Sequence, residues 1–253
     1  MEQIFPGKVG LFLVVWLGAW LPIAAIVAKL TGHHPGQPLQ PQQKIVLVLS
    51  LYLLLPGLVW GLMHIEQTQL QDYGWQWPFW GLYAGGLALG CAGVGLLFGV
   101  AIALGWVEGR PPNWRSLLPL WLVASLISAA EEIVFRGIFL NLWQQQTSLL
   151  WAAVFSSALF ALLHLIWERA QTIRQLPGLW LMGMVLVAAT LAVDQLGLAI
   201  GLHAGWIIGM TTADSSIQHQ NSTPSWLLGR LPLTGLLDNA LLLLTGIGLL
   251  AIG

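Results

Sequence analysis

Charged side chains are scarce in this chain of 253 residues: Asp, Glu, Lys and Arg together make up 8% of it. Soluble domains carry roughly 25%, and a water-facing surface for a globule this size cannot be built from so few. Cysteine is nearly absent, and the single Cys91 excludes both an internal disulfide and a multi-cysteine metal site. The nine Lys and Arg are scattered and the net charge is −1, so there is no basic stripe for a phosphate backbone and nucleic acid drops out as a partner. No internal repeat is visible. What is plentiful is apolar: hydrophobic residues reach 57% and the mean hydropathy is +0.78. Fifteen Trp fit the same picture, because indole rings favour the membrane interface. The chain reads as an integral membrane protein with lipids around it.

A hydrocarbon core of ~30 Å needs ~20 apolar residues per helix. Eight stretches qualify, at 9–29, 45–64, 80–106, 117–143, 149–167, 177–193, 199–213 and 231–252. They predict an all-α, polytopic membrane helical bundle of about eight transmembrane helices, with 1–253 forming a single integral membrane domain. The sixth and seventh share one apolar run from Leu176 to Met210, interrupted by Asp194-Gln195 and Gly197, and could form a short hairpin that does not cross fully. The first stretch is too long for the apolar region of a signal peptide and has no small-x-small site after it, so it is expected to stay in the mature protein. Connecting segments are short and turn-like, with Pro35, Pro38 and Pro41 in one and Pro111 and Pro112 in another. Odd-numbered loops carry Lys29, Lys44, Arg110, Arg115, Arg169, Arg174 and Arg230, even-numbered loops carry none, and the tails add only Lys8. Short loops rich in Lys and Arg stay in the cytoplasm, which puts the odd loops inside and both termini outside.

Ionisable groups within a span cost at least ~2.5–3.5 kcal/mol each, so those that persist are paired, functional, or both. The fourth span holds three. Glu132 and Arg136 are one helical turn apart at i,i+4 and can neutralise each other. Glu131 lies ~100° around the helix and must find a partner on another helix. His164 in the fifth span is placed to meet it: Glu131 and His164 are equidistant from the polar turn Gln144–Ser148, so an antiparallel hairpin sets them at one depth. His203 lies early in the seventh span. Taken alone, Glu132 with Arg136 reads as a structural ion pair, and a single intramembrane histidine as a helix-to-helix hydrogen bond. Glu131 with two histidines on separate helices is harder to reduce to packing. His33, His34, His64 and His219 fall in loops or at span ends and read as solvated. The third span is glycine-rich, and Gly86 with Gly90 predicts close helix packing ahead of a homodimer face. Trp75, Trp77 and Trp80 read as an interface belt.

The ordered set Glu131-Glu132-x-x-x-Arg136, Phe160-x-x-x-His164 and His203, within Gly201-Leu202-His203-Ala204-Gly205-Trp206, resembles the three motifs of the CPBP family. This is the group of CAAX-prenyl endopeptidases of type II and bacteriocin-processing proteins, glutamic intramembrane proteases. The resemblance covers a core at roughly 117–213. It implies an intramembrane endopeptidase in which Glu131 takes a proton from water and passes it to the leaving amine. His164 would orient that water, His203 would donate to the oxyanion, and Glu132 and Arg136 would fix the helix. The site is expected toward the cytoplasmic side. The substrate is then a peptide or protein, lipid-modified or not; the oligomeric state is left open. No cofactor is needed, and zinc held by Glu131 and the two histidines ranks second, since an H-E-x-x-H pair is lacking. The family's third motif usually continues His-x-x-x-Asn or Asp, whereas this chain has Ile207 there. Loss of one oxyanion donor costs ~10²–10³ in rate. The alternative reading is therefore a non-catalytic interaction or immunity factor that keeps the fold, and a proton-relaying carrier comes third.

Overall fold

The computed structural model describes residues 6–33, 39–77, 79–167, 169–220 and 223–252. His34, Pro35 and Pro38 of the first loop lie outside them. The fold is an all-α polytopic bundle. Eleven α-helices are formed among the described residues: α1 (Pro6–Leu30), α2 (Pro41–Tyr52), α3 (Leu55–Glu66), α4 (Trp80–Ala103), α5 (Trp114–Glu132), α6 (Leu140–Gln144), α7 (Leu149–Leu163), α8 (Arg169–Val193), α9 (Gly197–Ser216), α10 (Ser225–Leu228) and α11 (Leu236–Leu250). A π-helical turn, Ile133–Phe139, joins α5 to α6, and a 3₁₀ turn, His164–Ile166, extends α7.

All eight predicted segments appear as helical rods, several of them composite. Six are long and apolar enough to cross a bilayer: Gly7–Leu30, Gln42–Glu66, Trp80–Ala103, Trp114–Gln144, Leu149–Ile166 and Arg169–Val193. The expected count of about eight crossings therefore narrows to six clear candidates. α11 is apolar but shorter, and α9 ends in the polar run Thr211–Ser216. Large apolar side chains such as Leu11, Val14, Leu96, Leu118, Leu150 and Leu244 point outward, where acyl chains replace water as their solvent. The carboxylates and guanidinium of the fourth span point inward. One feature has no counterpart in the sequence reading: short strands β1 (Val107–Gly109) and β2 (Ile217–His219) pair antiparallel and tie the end of α4 to the end of α9.

The second rod is broken where its sequence requires it. Pro56 has no N–H to give to the carbonyl of Tyr52 and its ring clashes with that carbonyl, so α2 stops at Tyr52. The indole of Trp16 on α1 donates to the nearby carbonyl of Leu51 at 3.0 Å. A buried acceptor at the break is thereby satisfied.

The tightest seam joins α4 to α9, and glycines on both helices make it. A Cβ at Gly86 would lie 2.3 Å from the carbonyl oxygen of Leu198, and one at Gly90 would lie 2.6 Å from that of Leu202. From the other side, a Cβ at Gly201 would meet the Tyr83 carbonyl oxygen at 2.0 Å and one at Gly205 the Leu87 oxygen at 2.5 Å. Two small-xxx-small faces thus interlock within one chain. The Gly86 and Gly90 face is occupied by α9, which settles the choice between helix packing and a homodimer face there. Trp77 and Trp80 are exposed and stack edge-on at 5.7 Å, as a belt would, while Trp75 is turned inward onto Phe79 at 4.8 Å.

Candidate active site

The i,i+4 spacing of Glu132 and Arg136 produces the ion pair it implies, with Arg136 Nη1 donating to Glu132 Oε1 at 3.0 Å and both side chains fully buried. The other end of the guanidinium donates from Nη2 to the carbonyl of Gly183 on α8 at 3.1 Å. Gly183 has no side chain to block this approach; a Cβ there would meet Ser157 of α7 at 2.7 Å. Phe160 lies beneath the guanidinium, its ring centroid 4.5 Å from Arg136 Cζ. The same ring meets Phe135 at 5.3 Å, His164 at 4.7 Å and His203 at 5.8 Å, each edge-on or nearly so. Phe160 is therefore the hub against which the charged residues are aligned.

Directly after Glu132 the helix widens. Leu140 N–H donates to the carbonyl of Phe135, five residues back, and that same carbonyl accepts from Ser156 Oγ on α7 at 2.6 Å. A wide turn of this kind re-aims the side chains that follow it, and such turns recur at functional sites.

Glu132 Oε1 has a second partner from α9: His203 Nδ1 lies 2.8 Å away. A carboxylate can only accept, so Nδ1 carries the proton and Nε2 is the nitrogen turned to Glu131 Oε2, at 3.6 Å. Glu131 is 6% exposed, and its Oε1 accepts from the hydroxyl of Tyr52, the last residue of α2. The Pro56 break thus ends a helix at the residue that reaches Glu131.

His203 meets Glu131 because α9 starts deep in the protein. Asp194 takes a left-handed conformation at φ 50°, ending α8, which aspartate tolerates better than most residues. Leu196 N–H then donates to the carbonyl of Gly74 at 2.8 Å, and Gln76 Nε2 to that of Asp194 at 3.2 Å. The Leu196 side chain lies near Gly137, where a Cβ would meet it at 3.6 Å. Asn141 Nδ2 fixes the 3₁₀ turn Leu70–Tyr73 by donating to the Asp72 carbonyl at 3.1 Å. The break between α8 and α9 is thus hydrogen-bonded to the Leu70–Gln76 segment, with Asp194 exposed and Leu196 and Gly197 buried. From the level of Gly137 and Gly197, six residues back along the α5 rod lead to Glu131 and six forward along α9 lead to His203. His203 also sits two residues from Gly201 and Gly205, ~200° around the helix from the α4 seam, so it faces α5.

His164 opens the 3₁₀ turn that extends α7. Its Nδ1 is 2.8 Å from the carbonyl of Phe160, which makes Nδ1 the donor and leaves Nε2 with a lone pair. No direct bond joins His164 to Glu131; instead both line a cavity of about 30 Å³, together with Tyr52, Phe135 and Phe160. A water needs ~10–15 Å³ on this measure, so the cavity has room for one. His164 and Trp167 also line a larger chamber of about 350 Å³, whose other walls include Gln171, Thr172, Thr211 and Asp214. Those residues lie at the ends of α8 and α9 that join the odd-numbered loops, and the chamber shares His164 and Trp167 with the cavity.

Two motif residues lie off the wall of this cavity. His203 is held by Glu132 and faces Glu131, but it is absent from the cavity wall, so it backs the carboxylate and does not face the enclosed space. Ile207 packs in an apolar cluster with Ala124, Ile200 and Ala204, at the α5–α9 contact, and does not line the cavity either. Among the described residues, no group of three His, Cys, Asp or Glu is placed to hold a metal ion. The sequence reading missed Tyr52 and Trp16. Tyr52 had one signal, a proline four residues further on inside an apolar span.

No curated protein and no solved structure matches the chain. Residues 113–208, which contain Glu131, Glu132, Arg136, Phe160, His164, His203 and Ile207, match the family model of the type II CAAX prenyl endopeptidases, Rce1-like. Over that segment the chain is similar to the Rce1-like type II CAAX prenyl endopeptidases.

Proposed function

We propose that this protein hydrolyses a peptide bond within the membrane, using a water held between Glu131 and His164. The observation that carries this reading is the cavity of about 30 Å³ that both side chains line, one turn from a buried ion pair. Glu131 accepts a proton as the water oxygen attacks the carbonyl carbon, then hands that proton to the leaving amine. The lone pair on His164 Nε2 accepts a hydrogen bond from the same water and aims it. His203 is a positioning residue: Glu132 fixes its Nδ1–H, and a proton between its Nε2 and Glu131 balances two carboxylates against Arg136 in a space where net charge is costly. Glu132, Arg136 and Phe160 hold that arrangement rigid.

The motif-bearing stretch 117–213 is then the working core of one integral membrane unit, 1–253. Its polar chamber opens at the odd-loop ends, which the loop charge assigns to the cytoplasm. The substrate is a membrane-anchored peptide or protein whose chain enters through this chamber, and the scheme needs no metal. Purified protein in lipid nanodiscs, given a fluorogenic farnesylated CAAX peptide, tests the reading. Cleavage by wild type and none by Glu131→Gln is the expected result; equal cleavage by both overturns the assignment.

A further inference from the structure

We propose that Tyr52 is a catalytic residue of this site: its hydroxyl leaves Glu131 during the reaction and donates to the oxyanion, supplying the donor that Ile207 does not. The inference rests on the peptidase reading above. Tyr52 is buried, lines the same small cavity as Glu131 and His164, and donates to Glu131 Oε1. A carbonyl that approaches a water in that cavity therefore comes within reach of the Tyr52 hydroxyl. Two other donors on the cavity wall are committed elsewhere, and a third, the indole of Trp167, also lines it. Trp16 gives its N–H to the Leu51 carbonyl and His164 gives Nδ1–H to that of Phe160, acceptors that do not change as a peptide bond is cut. Tyr52, on the cavity wall, donates to an acceptor that does change.

The exchange follows from charge. At rest Glu131 is a carboxylate and a strong acceptor, so it holds the Tyr52 O–H. As water attacks, one water O–H bond breaks, its proton goes to Glu131, and the water oxygen bonds to the carbonyl carbon. The carbonyl π pair moves onto oxygen. Glu131 is now a neutral acid and a poorer acceptor, while a full negative charge has appeared on the substrate oxygen. The Tyr52 hydrogen bond moves to that oxygen with no proton transferred. When the tetrahedral species collapses, the C–N bond breaks, Glu131 returns the proton to the amine nitrogen, and Tyr52 recovers its original partner. The position of Tyr52 is built for this: Pro56 ends α2 at that residue, and Trp16 holds both the neighbouring carbonyl and, at 6.1 Å between centroids, the Tyr52 ring.

The test compares Tyr52→Phe with wild type in nanodiscs on the farnesylated CAAX peptide across a pH series. Phenylalanine keeps the ring contact with Trp16, and thermal unfolding checks that the variant is folded. The expected result is a fall in kcat of ~100–1,000-fold that persists at the high-pH end of the profile, where Glu131 is ionised in both proteins, with KM within about threefold. A hydroxyl that only steadies Glu131 gives a different result: the acid limb of the profile moves and activity recovers as pH rises, which overturns the proposal, as does an unchanged kcat. If wild type does not cut the peptide, the peptidase reading fails on its own. The ¹³Cζ resonance of labelled Tyr52 then decides the premise. A shift between wild type and Glu131→Gln sustains the pairing of hydroxyl and carboxylate, and an unmoved resonance overturns it.

Discussion

His203 Nε2 stands 3.6 Å from Glu131 Oε2, although α9 begins only six residues before His203 and the fourth rod continues thirteen residues beyond Glu131. The two meet because the break that precedes α9 is drawn inward by the segment Leu70–Gln76 and lodged beside Gly137. His203 depends in turn on the glycine seam that sets the rotation of α9. The site is therefore assembled in part from backbone contacts some distance from Glu131 and His203.

That dependence is testable at the seam. Gly205→Ala would drive a Cβ to 2.5 Å from the Leu87 carbonyl oxygen, whereas Gly95 has nothing within 4 Å of its Cβ position. Gly205→Ala should lower the unfolding temperature and reduce cleavage at least ~10-fold by displacing His203, since a misplacement of about 1 Å already costs on the order of 10²-fold in rate. Gly95→Ala should leave both unchanged. Thermal unfolding and peptide cleavage measured on both variants distinguish a seam that sets the site from one that does not.

The two adjacent glutamates should separate stability from activity. Glu132→Gln leaves Arg136 buried without its anion and weakens the hold on His203 Nδ1, a change worth ~3–5 kcal/mol when one partner of a buried pair is removed. Glu131→Gln keeps an acceptor for Tyr52 and should shift the unfolding temperature little. Parallel thermal scans in detergent check the contrast, and equal destabilisation by both variants contradicts it.

Position 207 carries a prediction opposite in sign to what the motif alone implies. With Asn at the family position, the resemblance leads one to expect that Ile207→Asn raises kcat. The side chain packs with Ala124, Ile200 and Ala204, away from the cavity. Ile207→Asn should therefore lower the unfolding temperature by placing a half-buried amide among apolar neighbours, with no gain in rate. A measured gain in kcat places residue 207 at the reacting carbonyl.

Orientation has its own test. In a Cys91→Ala background, a cysteine replacing Gln171 should be shielded from an impermeant thiol reagent in intact cells, and one replacing Gln146 should react. The reverse pattern puts the polar chamber on the outer side.

Much of this site was legible in the sequence where only local geometry was needed. Glu132 and Arg136 pair because four residues make about one turn. Glu131 and His164 share a cavity because they are equidistant from the Gln144–Ser148 turn. The depth of His203 was not legible, since it depends on the carbonyl of Gly74 capturing Leu196 N–H, a contact across 122 positions. Nor was the counterpart of Gly86 and Gly90, although Gly201 and Gly205 repeat the same spacing in α9. Tyr52 resembled any aromatic in an apolar span; only Pro56, breaking the helix at its carbonyl, set it apart. Ile207 shows the opposite failure. Spacing of i,i+4 puts it on one face with His203, but there it packs half-buried with Ala124 at the α5–α9 contact.

The most direct measurement is cleavage of the farnesylated CAAX peptide by purified wild type and Glu131→Gln in the same nanodiscs, with matched thermal unfolding curves. The account predicts turnover by wild type, no detectable turnover by a Glu131→Gln protein that unfolds at nearly the same temperature, and loss that no added metal restores. Turnover by folded Glu131→Gln at the wild-type rate would contradict it.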